Sequence, residues 1–127
     1  MLALVIDDSS TMRRVLRSII TPLGFNVYEA ENGQDALDLL TEGGTMPDIA
    51  LVDWNMPVMN GLEFIRAVRQ YPQFRNMTLM MVTTESEHSK VVCALAAGAH
   101  EYIIKPFPSE LIEEKLAFLG LLPDRVG

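Results

Sequence analysis

Asp48-Ile49-Ala50-Leu51-Val52-Asp53 is the stretch that decides how this chain folds. Its centre is apolar at every position rather than at alternate ones. A strand with one wet face alternates, whereas a strand covered on both faces reads as a continuous apolar run. Leu2–Ile6 and Thr78–Thr83 read the same way, and Asn26–Ala30 and Glu101–Lys105 complete a set of five strands. Helical spacing fills the gaps between them. Met12, Val15, Leu16, Ile19, Ile20 and Leu23 form an i, i+3, i+4, i+7 stripe. Ser9 or Ser10 can cap its start and Gly24 can stop it. Four further helices are expected over Gly33–Glu42, Gly61–Gln70, Glu87–Ala97 and Ser109–Leu119. The order is βα repeated five times, which predicts an α/β domain with a parallel sheet between two layers of helices. Leu121–Gly127 reads as a frayed end.

Composition limits what such a domain can do. The chain has 127 residues, 49% of them hydrophobic, enough for one domain with one full core. No apolar run approaches the roughly 18–20 residues of a membrane span, and the start of the chain lacks the pattern of a secretory leader. Cys93 is the single cysteine, so no internal disulfide can form. That agrees with a reducing compartment, and a cytoplasmic location is expected. The net charge of −7 disfavours nucleic acid. Arg13, Arg14 and Arg17, the only basic cluster, read as the solvated face of the first helix. Met1 stands directly before the first strand, which favours a natural N-terminus, and residues 1–127 read as one domain with no effector domain attached.

In an open parallel sheet, ligands bind beyond the carboxyl ends of the strands. Asp7 and Asp8 follow the first strand, and Asp53, Trp54 and Asn55 follow or close the third. Thr83, Thr84 and Glu85 stand at the end of the fourth, and Lys105-Pro106 at the end of the fifth. A parallel sheet would gather all of them into one pocket. Three carboxylates in one pocket repel each other and call for protonation, a cation or a positive side chain. A hard divalent ion such as Mg²⁺ suits carboxylates, a backbone carbonyl and waters. With Lys105 opposite, the site suits a phosphoryl group, the Thr83 hydroxyl can donate to one of its oxygens, and a carboxylate can act as nucleophile to form an aspartyl-phosphate.

Taken singly, these residues have plainer readings. Asp7-Asp8 could end a strand ahead of a helix N-terminus, Thr83 could reflect β-propensity and Lys105 could be solvated. Tyr102 could be a half-buried strand aromatic, and Trp54 either packs or lines the rim of the site. Pro57 and Asn60-Gly61 read as turn formers, Met80 and Met81 as core, and His88 and His100 as surface residues.

Together, Asp7-Asp8, Asp53, Thr83 and Lys105-Pro106 resemble the response-regulator receiver family, and the resemblance covers essentially the whole chain. The stretches DDSSTMRR, LGFNVYEAENGQDAL, DWNMPVMNGLEF, MVTTE and KPF with EEKL are most similar to its CheY-like, chemotaxis-type single-domain members. The resemblance implies the flavodoxin-like strand order 2-1-3-4-5. It makes Asp53 the phosphoacceptor and Asp8 the principal ligand of Mg²⁺, with Asp7 acting directly or through water and Asn55 supplying its main-chain carbonyl. Lys105 would hold the phosphoryl oxygen and be joined to Pro106 by a cis bond. Thr83 would move toward the phosphoryl group, and Tyr102 would turn inward behind it. Asn55 and Glu85 would tune dephosphorylation, and this pair resembles that of the fast-turnover members.

The implied partners are a histidine kinase and a downstream protein target. The target would dock on the face formed by the fourth helix, fifth strand and fifth helix, which here includes His88, Val91, Leu95, Tyr102 and Lys115. A monomer is expected. The chain departs from the members that bind a flagellar motor switch at Glu87-His88 and His100-Glu101. It also has Thr84 where a smaller residue is common, and Pro108 where a hydroxyl cap is common, leaving Ser109 to take over as cap or the helix to start differently.

Other classes fit less well. An aspartate-nucleophile Mg²⁺ phosphatase would want an Asp-x-Asp pair after the first strand, a flavin carrier would want a Ser/Thr/Gly-rich phosphate loop there, and an unphosphorylated receiver-like scaffold would not need the full acid, Thr and Lys set.

Overall fold

Five parallel strands pair in the order β2-β1-β3-β4-β5, as the resemblance implied, in a computed structural model that describes residues 1–43 and 46–122. They are β1 (Leu2–Ile6), β2 (Asn26–Ala30), β3 (Ile49–Val52), β4 (Thr78–Thr83) and β5 (Glu101–Ile104). The helices are α1 (Ser10–Ile20), α2 (Gly33–Gly43), α3 (Gly61–Val68), α4 (His88–Ala97) and α5 (Ser109–Phe118).

The continuous apolar strands have the predicted consequence. In β1, β3 and β4, successive side chains enter opposite cores. Leu4, Ile6, Ala50, Val52, Leu79 and Met81 pack with Ala36, Leu40, Phe64, Ile65, Val68 and Ala94, under α2, α3 and α4. Ala3, Val5, Ile49, Leu51, Met80 and Val82 pack with Leu16, Ile20, Ile112 and Leu116, under α1 and α5. Each fully buried aliphatic side chain contributes about 1.5–3 kcal/mol, so strands lined on both faces anchor the sheet from its centre. The edge strands β2 and β5 are only partly buried.

Local chemistry sets the helix ends. Ser9 caps α1, its hydroxyl accepting the Met12 N–H at 3.2 Å. A 3-10 turn (Thr21–Leu23) follows α1, and Gly24 ends it with φ of 102°, a left-handed conformation open to glycine. Asn60 and Glu63 form a reciprocal capping box on α3, with bonds of 2.8 and 3.0 Å, so Asn60 is a cap rather than only a turn former. Pro108 occupies the cap position of α5 without a side-chain bond and Ser109 is the first helical residue, so the serine does not take over as cap. α4 starts one residue after the expected Glu87, which is its cap. α3 is shorter than expected because a second 3-10 turn (Pro72–Phe74) redirects the chain into β4.

The expected frayed end is docked at its start. The Leu121 N–H bonds the Leu116 carbonyl at 2.9 Å, and Leu121 and Leu122 both pack against the α1/α5 core, so the chain is still docked there. Residues 123–127 lie outside the described residues.

Candidate phosphoacceptor site

The strand ladder places the acids. Where β1 ends, the Asp7 N–H still bonds the Ala30 carbonyl at 3.1 Å, and where β3 ends, the Asp53 N–H bonds the Ile6 carbonyl at 2.9 Å. The Lys105 N–H bonds the Thr83 carbonyl at 2.8 Å, which carries β5 up to the same edge. One carboxylate oxygen from each of Asp7, Asp8 and Asp53 lies within 4.8 Å of the others. Asp7 and Asp53 are 1% and 8% exposed, Asp8 is exposed and Thr83 is fully buried.

Lys105 supplies the opposing charge, with Nζ 2.8 Å from Asp7 Oδ2 and 3.5 Å from Asp53 Oδ2. Asp7 Oδ1 accepts the Ser9 N–H at 2.9 Å, and Asp53 Oδ1 accepts the Trp54 N–H at 2.7 Å. Each buried acid therefore has one oxygen on the backbone and the other toward the ammonium, as burial of charge requires. The Lys105–Pro106 bond is cis, as the resemblance implied. The donor set fits a hard cation: hard carboxylate oxygens, one of them exposed, converging within reach of one ion.

Glu85 links this pocket to β5. Its N–H points to Thr83 Oγ1 at 3.4 Å, its carboxylate accepts the Asn55 Nδ2 donor at 3.1 Å, and its carbonyl accepts the Tyr102 hydroxyl at 2.7 Å. One residue of the β4–α4 loop thus touches the threonine, the Asn55 rim and the tyrosine. Burial raises the Tyr102 pKa, and the charges of Glu85 and Asp53 raise it further, so the phenol stays a hydrogen-bond donor. The sequence placed Glu85 at the end of the fourth strand, and the resemblance paired it with Asn55 in tuning dephosphorylation. Its main-chain contacts come from loop geometry, which residue type does not encode.

Gly61 is the second residue whose role needed the structure. An alanine Cβ there would run into the main-chain carbonyl of Asp53 and would stand 3.0 Å from Trp54 Cα. The start of α3 therefore packs directly on the backbone of Asp53, and the Gly61 N–H bonds the Trp54 carbonyl at 2.9 Å. Bare backbone is what permits this approach.

Other expectations change. Trp54 is a buried core residue rather than a rim residue, with Lys90 Nζ on α4 4.8 Å from its ring centroid. Arg13 is not a solvated residue: its side chain is 13% exposed, pairs with Glu29 at 2.9 Å and donates to the Asp7 carbonyl at 2.7 Å. Arg17 reaches the other oxygen of Glu29 at 2.6 Å. Burial of Glu29 by itself favours its neutral form, but hydrogen bonds from Arg17 and Arg13 outweigh this and lower its pKa. His100 is exposed, yet its ring Nδ1 accepts the Leu79 N–H at 3.1 Å. His88 and Thr84 are exposed, Met80 and Met81 are core.

On the face formed by α4, β5 and α5, Val91, Tyr102 and Lys115 are half-buried and Leu95 is exposed. Lys115 bonds Glu101 at 3.0 Å across β5 and α5. Among the described residues, no helix is long and apolar enough to cross a membrane.

Known proteins share both the sequence and the shape. A chemotaxis protein CheY homolog of Campylobacter jejuni is 47% identical over 114 residues, 89% of this chain and 87% of that protein. The chemotaxis protein CheY1 of Helicobacter pylori is 42% identical over 114 residues, 89% of this chain and 91% of that one. The crystallised chemotaxis protein CheY4 of Vibrio cholerae superposes with a TM-score of 0.83 at 32% identity, covering 92% of this chain and 96% of its own. The sequence profile of the response regulator receiver domain matches residues 3–117, from β1 into the last turn of α5. With the acids, threonine and lysine all at the carboxyl edge of a 2-1-3-4-5 sheet, the chain belongs to the response regulator receiver domain family.

Proposed function

We propose that this chain is a phosphorylation-activated signalling switch of a two-component system that works in chemotaxis or a related pathway. It accepts a phosphoryl group from a histidine kinase on Asp53. The observation that carries the reading is the convergence of Asp7, Asp8 and Asp53 on one ion-sized space with the Lys105 ammonium against it. The relatives named above are chemotaxis proteins, which supports the pathway.

Asp8, Asp53 and the Asn55 main-chain carbonyl would hold Mg²⁺, with Asp7 acting directly or through water. Bound Mg²⁺ would supply charge neutralisation for the phosphoryl oxygens. The chain's own residues do the rest. An oxygen of Asp53 forms the new P–O bond while the phosphorus–nitrogen bond of the donor phosphohistidine breaks, its electron pair returning to the imidazole. Lys105 and the Thr83 hydroxyl take phosphoryl oxygens, and positioning with charge neutralisation supplies most of the catalysis. Transfer and later hydrolysis are self-catalysed, and the chain is otherwise not an enzyme. Asn55 and Glu85 stand over the rim and set access for the hydrolytic water.

As Thr83 moves toward the phosphoryl group, it pulls on Glu85 and through the Glu85 carbonyl on Tyr102. The α4-β5-α5 face changes and binds a protein target. We assign residues 3–117 to one receiver domain that works in the cytoplasm as a monomer, with proteins rather than nucleic acid or membrane as its partners.

The test is incubation with acetyl phosphate and Mg²⁺, followed by phosphate incorporation and by the NMR signals of Tyr102. Wild type should incorporate one phosphoryl group per chain and shift the Tyr102 signals, and Asp53→Asn should do neither. Undiminished incorporation in Asp53→Asn would place the phosphate elsewhere, and a shift confined to the pocket would remove the coupling through Glu85.

A further inference from the structure

The geometry points to Arg13 as a positioning residue for the acidic site: it holds the peptide that carries Asp8, and thereby sets the affinity of the site for a divalent cation. This rests on the reading of Asp7, Asp8 and Asp53 as a cation site.

Arg13 leaves the first turns of α1 and lies almost buried between the ends of β1 and β2. Its guanidinium donates in two directions at once, from Nη1 to the Asp7 carbonyl at 2.7 Å and from Nε to Glu29 Oε1 at 2.9 Å. Glu29 is itself fixed. It stands on β2 opposite Val5, and Arg17 holds its second oxygen at 2.6 Å. The guanidinium is therefore anchored to the sheet and cannot drift with the turn it grips.

The consequence falls on Asp8. The Asp7 N–H is on the Ala30 carbonyl, Oδ1 is on the Ser9 N–H and Oδ2 is on Lys105. With its carbonyl on Arg13, every hydrogen-bonding group of Asp7 is engaged. The plane of the Asp7–Asp8 peptide is thus set, and with it the direction in which Asp8 leaves the chain. Asp8 is exposed, and an exposed carboxylate on an unheld turn would have to be ordered when a cation arrives. Holding it in advance removes that cost, as groups that orient metal ligands do elsewhere. The task needs an arginine: two divergent donors on one rigid plane can bridge a carbonyl and a carboxylate, whereas a lysine ammonium is a single point.

The sign of the effect separates positioning from plain charge. Removing a positive side chain near three carboxylates makes the site more negative, and electrostatics alone would then tighten cation binding. Loss of positioning loosens it. In Arg13→Gln, a MgCl2 titration followed through the amide signals of Asp8 and Asp53 should show a dissociation constant about tenfold higher than wild type. Arg13→Lys should restore little of the loss. Glu29→Gln, which keeps Arg13 but loosens its anchor, should weaken binding in the same direction by a smaller factor.

Urea unfolding without Mg²⁺ reads the structural role separately. Reduced stability with an unchanged or tighter Mg²⁺ constant in Arg13→Gln would overturn the assignment. If that variant fails to fold, an unchanged constant in Glu29→Gln overturns it instead. A wild-type chain that shows no saturable response to Mg²⁺ would sink the cation site itself, a different failure from one in which wild type binds and the variants bind equally well.

Discussion

Gly61→Ala should damage both the stability of this protein and its phosphorylation, although the side chain added is a single methyl group. At Gly61 the new Cβ would overlap the Asp53 carbonyl oxygen and approach its carbon to 2.9 Å and Trp54 Cα to 3.0 Å. Carbon atoms rest at about 3.5–4.0 Å, so β3 and the start of α3 must separate by about 1 Å. These are backbone atoms, and no rotamer change relieves the clash. Overpacking of this kind costs about 1–3 kcal/mol. The 2.9 Å bond from the Gly61 N–H to the Trp54 carbonyl would stretch, forfeiting about 1 kcal/mol. The preference of alanine over glycine in a helix returns about 0.5–1 kcal/mol. The net expectation is a loss of about 2 kcal/mol. The displaced backbone is that of Asp53 itself, and a 1 Å misplacement of a reacting group costs about 100-fold in rate.

Urea unfolding measures the first effect, and the rate of phosphate incorporation from acetyl phosphate with Mg²⁺ measures the second. Gly43→Ala is the internal control. It lies at the end of α2 with nothing within 4 Å of the added Cβ, so it should be neutral or slightly stabilising and leave the rate unchanged. If Gly61→Ala keeps wild-type stability and a rate within about threefold, far short of the 100-fold expected for misplacement, the contact of α3 with the Asp53 backbone is not what positions the acid.

Two further perturbations probe strain and pH. Val58 has φ of 70° and is 80% exposed, so a β-branched residue occupies a left-handed conformation with almost nothing packed in return. Val58→Gly should remove about 1–2 kcal/mol of strain and add about 0.5–1 kcal/mol of chain entropy, raising the urea midpoint; a lower midpoint would show that the valine side chain holds the β3–α3 loop. Although the residue is exposed as a whole, His100 has its pKa lowered, first by partial desolvation of the ring, whose Nδ1 is turned in against the Leu79 N–H, and then by Arg69, whose guanidinium is 3.5 Å from Nδ1. As pH falls, the unfolded chain takes up this proton first, near its ordinary pKa of about 6.5. The contribution of His100 is therefore complete above that pH and is lost as pH falls toward the lower folded value. His100→Gln should flatten the fall in stability between about pH 7 and 5, and an unchanged slope would assign it to other groups.

The sequence was most legible where one residue type has one physical use. Continuous apolar runs in β1, β3 and β4 required cover on both faces, and both cores are built from their alternating side chains. Boundaries were less legible. β3 is Ile49–Val52 rather than Asp48–Asp53, although the Asp48 N–H still bonds the Leu2 carbonyl at 2.8 Å and the Asp53 N–H the Ile6 carbonyl at 2.9 Å, so the two acids flank the strand rather than belong to it. Arg13 was misread and Trp54 was left between two readings for a common reason. Each has a side chain that is at home in water or in protein, so the choice depends on what the fold brings beside it. For Arg13 that is Glu29 and the Asp7 carbonyl, and for Trp54 it is the core beneath α4 with Lys90 above the ring.

By itself, the sequence determined that this chain is a βα-repeat domain with its acids, threonine and lysine at the same ends of their strands. Hydrophobic pattern and strand-end position are local properties, and a parallel sheet converts them into a shared edge. The tertiary structure decided how those groups are held. Lys105 spans Asp7 and Asp53, Glu85 joins Thr83 to Tyr102, α3 rests on the backbone of Asp53, and Arg13 grips the turn that carries Asp8. Apart from the Lys105 ion pairs, which join side chains far apart in the chain, these contacts each use a main-chain atom, which every residue possesses. Residue type therefore cannot announce the main-chain contacts, and all of them exist only once the strands are side by side.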